Sequence, residues 1–264
     1  MKIGYIQSSP VFGEKEKNFN EINNLIQGRS ADLLVLPELF ATGYAFHSVN
    51  EVATLAESKG DVTTQFLKEL SQRTNAIIVA GFIEKSGEKF YNSSMMVSFE
   101  KVIGIYRKLH LFDREKLWFS PGNRPLDVYN VNGVKIGMMI CFDWIFPEVS
   151  RILVLKGTQV IAHPANLVMP YCQKAMTTRC LENRVFAVTA NRNGEERRGD
   201  DHLIFTGCSQ ITAPNGDILS SASADKNYVD IIDIDISLAN NKNVNDHNSV
   251  IKDRRPQFYK ELVR

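Results

Sequence analysis

Apolar residues along the first third of the chain switch between two rhythms. Lys2-Ile3-Gly4-Tyr5-Ile6-Gln7 reads as a strand. Ala31-Asp32-Leu33-Leu34-Val35-Leu36 reads as a second, buried strand that stops at Pro37, which has no N–H to give to a ladder. Between them, Phe19, Ile22, Leu25 and Ile26 recur at helical spacing, so the stretch from Asn18 to Arg29 predicts a helix with one buried face. Asp61 stands where it can cap a helix running to Thr74, with Phe66, Leu67 and Leu70 inward. Strand patterns return over 76–83, 91–99 and 101–107, the last two joined by a tight turn.

Residues 108–124 carry no regular period and predict a long loop. Loops of that length are uncommon unless they have a function. Val134 to Ile140 is again a strand. Pro147-Glu148 opens a helix, with proline in the first turn and an acid at the positive end; Gly157 closes it. A strand at 160–162, a helix at 171–184, and strands at 185–191, 203–212, 218–222 and 228–236 follow, with a turn at Pro214-Asn215-Gly216-Asp217. The charged run from Asn193 to Asp200 has glycines at both ends and reads as a solvated connector, with a mobile lid as the alternative. From Ser237 onward the chain is polar and irregular, and is expected either to be disordered or to lie across a partner subunit. Strands interleaved with helices, with no linker or repeat, predict one α/β or layered α+β domain over residues 1–264, with 237–264 as a C-terminal extension.

Composition narrows the function classes. Thirty-one basic and 30 acidic residues leave a net charge of +1, so no field of one sign is available to attract nucleic acid or an anionic membrane. The N-terminus lacks the charged and apolar regions of a signal peptide, and no apolar run approaches the roughly 20 residues that span a bilayer. Cys141, Cys172, Cys180 and Cys208 form no Cys-x-x-Cys pair, and the histidines show no metal-ligand spacing. Reduced thiols in the cytoplasm are the expectation.

Candidate chemistry sits at three strand ends. Leu36-Pro37-Glu38 places a carboxylate after a buried strand, with Thr42-Gly43-Tyr44 just beyond. Arg107-Lys108-Leu109-His110 ends another strand and enters the long loop, in which Glu115 follows. Cys141-Phe142-Asp143-Trp144 lies where a strand gives way to a helix, a layout like that of a nucleophile elbow, in which the next N–H groups are free to receive an oxyanion. Taken singly, each has an ordinary structural explanation: a loop glutamate turned to water, a charged edge, a buried thiol.

Together, Pro37-Glu38, Arg107-Lys108-Leu109-His110 and Cys141-Phe142-Asp143-Trp144-Ile145-Phe146-Pro147-Glu148 resemble the Glu, Lys and Cys motifs of the nitrilase superfamily in order and spacing. Glu115-Lys116-Leu117-Trp118-Phe119-Ser120-Pro121-Gly122 resembles the segment carrying that family's second active-site glutamate. The likeness extends through His163-Pro164-Ala165-Asn166 and Arg179 to Asn191. It implies a four-layer α-β-β-α sandwich, a homodimer joined through helices or a higher homo-oligomer, and hydrolysis of amides, N-carbamoyl compounds or nitriles without metal or cofactor. It also implies Cys141 as nucleophile, Glu38 as general base, Lys108 as the cationic stabiliser and Glu115 as their orienting carboxylate. Phe142 and Trp144 place the cysteine motif nearer small amidase, carbamoylase and archaeal nitrilase-type branches than large plant-type nitrilases.

Chemistry sets a requirement on such a site. Passing a proton from an ordinary thiol to an ordinary glutamate costs roughly 5 to 6 kcal/mol. Burial and the charge of Glu115 are expected to raise the pKa of Glu38, and Lys108 to lower that of Cys141. Tyr44, Phe142, Trp144 and Asn166 are the expected substrate-binding residues, with Phe46, Trp118, Phe119 and Phe146 as further candidate walls. Arg179, Arg184 and Arg192 are candidates for a substrate carboxylate. The primary expectation is a small linear amide as substrate. Carbamoylase, aliphatic nitrilase, a redox thiol protein and a non-catalytic binding protein on the same fold are the alternatives.

Overall fold

The computed structural model describes residues 1–263. In chain order the elements are β1 (Lys2–Gln7), α1 (Lys15–Ile26), β2 (Leu33–Val35), α2 (Val49–Leu55), α3 (Val62–Thr74), β3 (Ile77–Ser86), β4 (Lys89–Val97) and β5 (Val102–Arg107). After them come α4 (Glu115–Trp118), β6 (Val128–Val131), β7 (Val134–Met138), α5 (Pro147–Leu155), β8 (Val160–Ala165), α6 (Cys172–Asn183) and β9 (Phe186–Asn191). The chain continues through β10 (Glu195–Arg198), β11 (Asp201–Ile204), β12 (Gln210–Thr212), β13 (Ile218–Ser221) and β14 (Tyr228–Asp233).

Two six-stranded sheets form the centre, ordered β14-β1-β2-β3-β4-β5 and β13-β12-β9-β8-β7-β6. Each has parallel inner pairs, β1–β2–β3 and β7–β8–β9, flanked by antiparallel strands. Alternation along the strands decides what each face meets. Ile3, Tyr5, Leu33, Val35 and Val79 join Ile136, Met138 and Val188 in the core between the sheets. Ile6, Leu34 and Ile78 turn the other way, onto Phe19 and Ile22 of α1 and Phe66, Leu67 and Leu70 of α3. Leu153 of α5 and Met176 and Cys180 of α6 cover the second sheet. The layers are therefore α-β-β-α.

Several boundaries differ from the sequence reading for identifiable reasons. Helix α1 starts at Lys15 rather than Asn18, because Asn18 is buried within it and bonds Val11 and the Ala41 carbonyl. Asp61 occupies the N-cap of α3, but its carboxylate accepts from the Ser58 N–H instead of capping the helix. The predicted 203–212 strand breaks into β11 and β12, because Gly207 and Cys208 both take positive φ, +54° and +53°. The 108–124 segment contains the turn of helix α4. The 193–200 run is no connector: it forms the β10–β11 hairpin, tied down by Arg198 on Glu51 and Ala45. The described part of the segment from Ser237 has short 3₁₀ turns and an antiparallel bridge between Asn243 and Ser249, and it packs on its own chain. Lys242 donates to the carbonyls of Asn183 and Arg184, and Arg151 to that of Val250. Among the described residues, no helix is long and apolar enough to cross a membrane, and Cys141, Cys172, Cys180 and Cys208 are all free thiols.

Candidate active site

Glu38 follows β2, where Pro37 ends the strand. It is held close to β3: a Cβ on Gly81 would stand 2.5 Å from the Glu38 Cα, so only glycine permits this approach. Lys108 directly follows β5. The Gly122 N–H donates to its carbonyl at 2.8 Å, folding the loop back over it. Arg107 before it is not a solvated edge residue; it is buried and bidentate on Glu84 at 2.9 and 2.6 Å.

Lys108 and Glu38 are both 0% exposed. The Lys108 ammonium donates to Glu38 Oε1 and to Glu115 Oε1, each at 2.7 Å. Asn92 Nδ2 adds a bond to Glu38 Oε1 at 2.6 Å, and the Tyr44 hydroxyl one to Glu115 Oε1 at 2.6 Å. Glu115 Oε2 accepts the Phe112 N–H. Glu38 Oε2 is buried with no partner among the described residues. An ammonium has three N–H groups, and the two carboxylates occupy two of them.

Cys141 begins a 3₁₀ turn, Cys141–Ile145, with φ +40°, a backbone region that non-glycine residues rarely adopt. Asp143 ties the turn down. Its carboxylate accepts from the Ile140 N–H, the Tyr106 hydroxyl and the His110 N–H, and meets the His110 ring at 2.8 Å. His110 stacks on Phe146. His163 Nε2 lies 3.0 Å from the Cys141 carbonyl oxygen.

The charges settle as a group. Burial pulls the Lys108 pKa down, but Glu115 and Glu38 more than offset it and hold the ammonium above its usual range. Burial raises Glu115; Lys108 works against this and the charge of Glu38 adds to it. The Cys141 thiol is pushed well above its usual pKa, first by burial and then by Glu38, with Lys108 pulling the other way. The expected lowering of Cys141 by Lys108 is therefore present but outweighed. The Asn166 backbone N–H also favours the thiolate.

Phe142, Trp144 and Asn166 line a small pocket at Cys141 with Phe112, Leu167 and Val168. Asn166 is 2% exposed, and neither polar atom of its side chain has a partner among the described residues. A cleft bordered by Tyr44, Phe46, Glu115, Trp118, Phe119 and Asp201 shares Phe112 and Val168 with that pocket. None of the three candidate arginines lines this pocket or the cleft. Arg179 donates to the Trp144 carbonyl and to Glu182. Arg184 sits at the C-terminus of α6. Arg192 is buried against Glu196 and Phe205. Among the described residues no cluster of three His, Cys, Asp or Glu is placed to hold a metal ion. Sequence reasoning missed Asn92, Asp143 and His163 as parts of the site. The buried polar run Asn92-Ser93-Ser94 inside an otherwise apolar strand was the available signal.

Residues 2–242 match the carbon–nitrogen hydrolase family. The chain belongs to that family. It is 47% identical to a nitrilase of Pyrococcus abyssi, over 98% of this chain and 99% of that one. It is 35% identical to an (R)-stereoselective amidase of a Pseudomonas species, over 89% and 86%. The fold matches a mutant of the amidase from Nesterenkonia sp. AN1 with TM-score 0.80 at 22% identity, covering 100% of both chains; that crystal carries acrylamide added at the active-site cysteine. This carbon–nitrogen hydrolase thus has the α-β-β-α sandwich of the nitrilase superfamily and is an enzyme of the nitrilase and amidase group.

Proposed function

We propose that the enzyme hydrolyses a small, uncharged linear amide through a thioester on Cys141, releasing ammonia. The observation that carries this reading is the buried Lys108, bonded to Glu38 and Glu115 beside a thiol held at positive φ. Glu38 Oε2, the unpartnered oxygen, takes the thiol proton, and the thiolate attacks the carbonyl carbon. The third N–H of Lys108 and the Phe142 N–H stabilise the oxyanion. Glu38 returns the proton to the departing nitrogen, so ammonia leaves and the thioester remains. Water then gives a proton to Glu38 as it attacks the thioester. When the second tetrahedral adduct collapses, the acid leaves and the proton returns to sulfur. Glu115, fixed by Tyr44, orients Lys108. Asn166 offers its free amide to the substrate.

The pocket at Cys141 supports a small acyl group, since its walls are apolar apart from Asn166. Among the described residues no cation lines it, which weighs against N-carbamoyl amino acids. The 47% identity to a nitrilase favours an aliphatic nitrile as the second reading; thiol addition to it gives a thioimidate, and addition of one water with loss of ammonia then gives the same thioester. A cytoplasmic location and a homodimer joined through the outer faces of α5 and α6, where Ile152, Leu155 and Leu181 are exposed, belong to the same proposal. The test is ammonia release from small amides, N-carbamoyl compounds and aliphatic nitriles, with Cys141→Ala as control. Release from amides that vanishes in the control is the expected result. Turnover of nitriles alone selects the second reading, and release that survives Cys141→Ala rules out both.

A further inference from the structure

The peptide between Cys141 and Phe142 carries two groups that matter in opposite directions. Its carbonyl oxygen meets His163 Nε2 at 3.0 Å, and its N–H is the proposed oxyanion donor. That N–H has no acceptor among the described residues. A trans peptide is planar, so its C=O and N–H point opposite ways and turn together. Whatever fixes the carbonyl also fixes the direction of the N–H.

His163 is 0% exposed on β8, and its second ring nitrogen lies 3.1 Å from the Thr189 hydroxyl on the neighbouring β9. A carbonyl oxygen can only accept, so Nε2 carries the hydrogen. In a neutral ring Nδ1 is then an acceptor, and Thr189 donates to it. Burial pulls the His163 pKa down to about 4, which keeps the ring neutral. The resulting chain, Thr189 to His163 to the Cys141 carbonyl, runs from the middle of the second sheet into the strained turn. Cys141 at φ +40° needs such a restraint, because nothing in its own sequence favours that conformation.

We propose that His163 is a positioning residue: by holding the Cys141 carbonyl it aims the Phe142 N–H at the oxygen of the substrate carbonyl. The inference rests on the proposed roles of Cys141 and the Phe142 N–H. His163 touches no reacting atom in this account, and its effect appears only when negative charge develops on that oxygen.

Two measurements test it. In the first, His163→Leu and His163→Gln are compared for amide turnover and for modification of Cys141 by methyl methanethiosulfonate, in which the thiolate attacks sulfur and expels methanesulfinate, so that no tetrahedral oxyanion forms on a carbonyl carbon. His163→Leu should lower kcat by about 100-fold, the usual effect of losing one oxyanion donor, with KM and thiol modification little changed. His163→Gln, which keeps a donor and an acceptor, should recover much of that loss. Parallel loss of turnover and thiol modification, or unchanged kcat in His163→Leu, overturns the proposal. The second measurement needs no variant: nitrogen-15 spectra of the histidine rings should show His163 as the neutral Nε2–H form across neutral pH. A ring found as Nδ1–H, or one titrating near its ordinary pKa, overturns the proposal. A wild-type enzyme that releases no ammonia counts against the hydrolase reading beneath it. An active enzyme indifferent to His163→Leu counts against this inference alone.

Discussion

Lys108 brings one positive charge into a space that holds two carboxylates and a thiol, all shielded from water. In that setting burial outweighs the ammonium at Cys141, so the resting thiol stays protonated and the thiolate has to be made by proton transfer. His163 gives a cleaner pH dependence. Its ring takes a proton near 6.5 when unfolded, but only near 4 in the folded protein. Between those values the unfolded chain binds more protons, so stability is full above the higher value and falls as pH drops toward the lower. The shift corresponds to roughly 3 kcal/mol. Urea unfolding of the wild type should weaken over this window, and His163→Gln should lose that part of the slope. Equal slopes in the two proteins would show that His163 titrates normally.

At the level of elements, the β10–β11 hairpin braces one side of the cleft. Glu196 on β10 accepts the N–H groups of Tyr44 and Ala45 and pairs with buried Arg192. Tyr44 in turn bonds Glu115, so the hairpin is linked to the site through one loop. Glu196→Ala should cost about 3–5 kcal/mol by stranding Arg192, and should raise KM as the Tyr44 loop loosens. Arg192→Met combined with Glu196→Leu should restore much of the stability. Chemical denaturation of both variants checks this, and a double variant no more stable than Glu196→Ala refutes the account. None of this was legible in the run from Asn193 to Asp200, which looks solvated because Glu195, Glu196, Arg197 and Arg198 are consecutive charged residues between two glycines. Burial of Glu196 and Arg192 depends on Tyr44 and Phe205, which arrive from elsewhere in the chain.

On the scale of the whole molecule, two sheets pack face to face, with the site where residues after β2, β5 and β7 meet. The C-terminal segment is fastened to the end of α6 by Lys242 and to α5 by Arg151. Truncation after Asp235 should therefore lower the melting temperature, because the Asn183 and Arg184 carbonyls lose their donor. Solution mass of the truncated chain tests the expectation that the segment lies across a partner subunit; an unchanged number of subunits counts against it. The sequence by itself determined the period of nearly every long element, since alternation and helical spacing are local records of which face is buried. It also singled out Glu38, Lys108, Glu115 and Cys141 as the proposed catalytic residues, because their motifs carry a resemblance in fixed order. Only the tertiary structure decided that Lys108 bridges both carboxylates, that Asn92 bonds Glu38, that Asp143 and His163 bond the backbone around Cys141, and that the candidate arginines do not line the pocket. Those facts depend on side chains from distant strands meeting in space, and on how much water that meeting excludes, which no local pattern encodes.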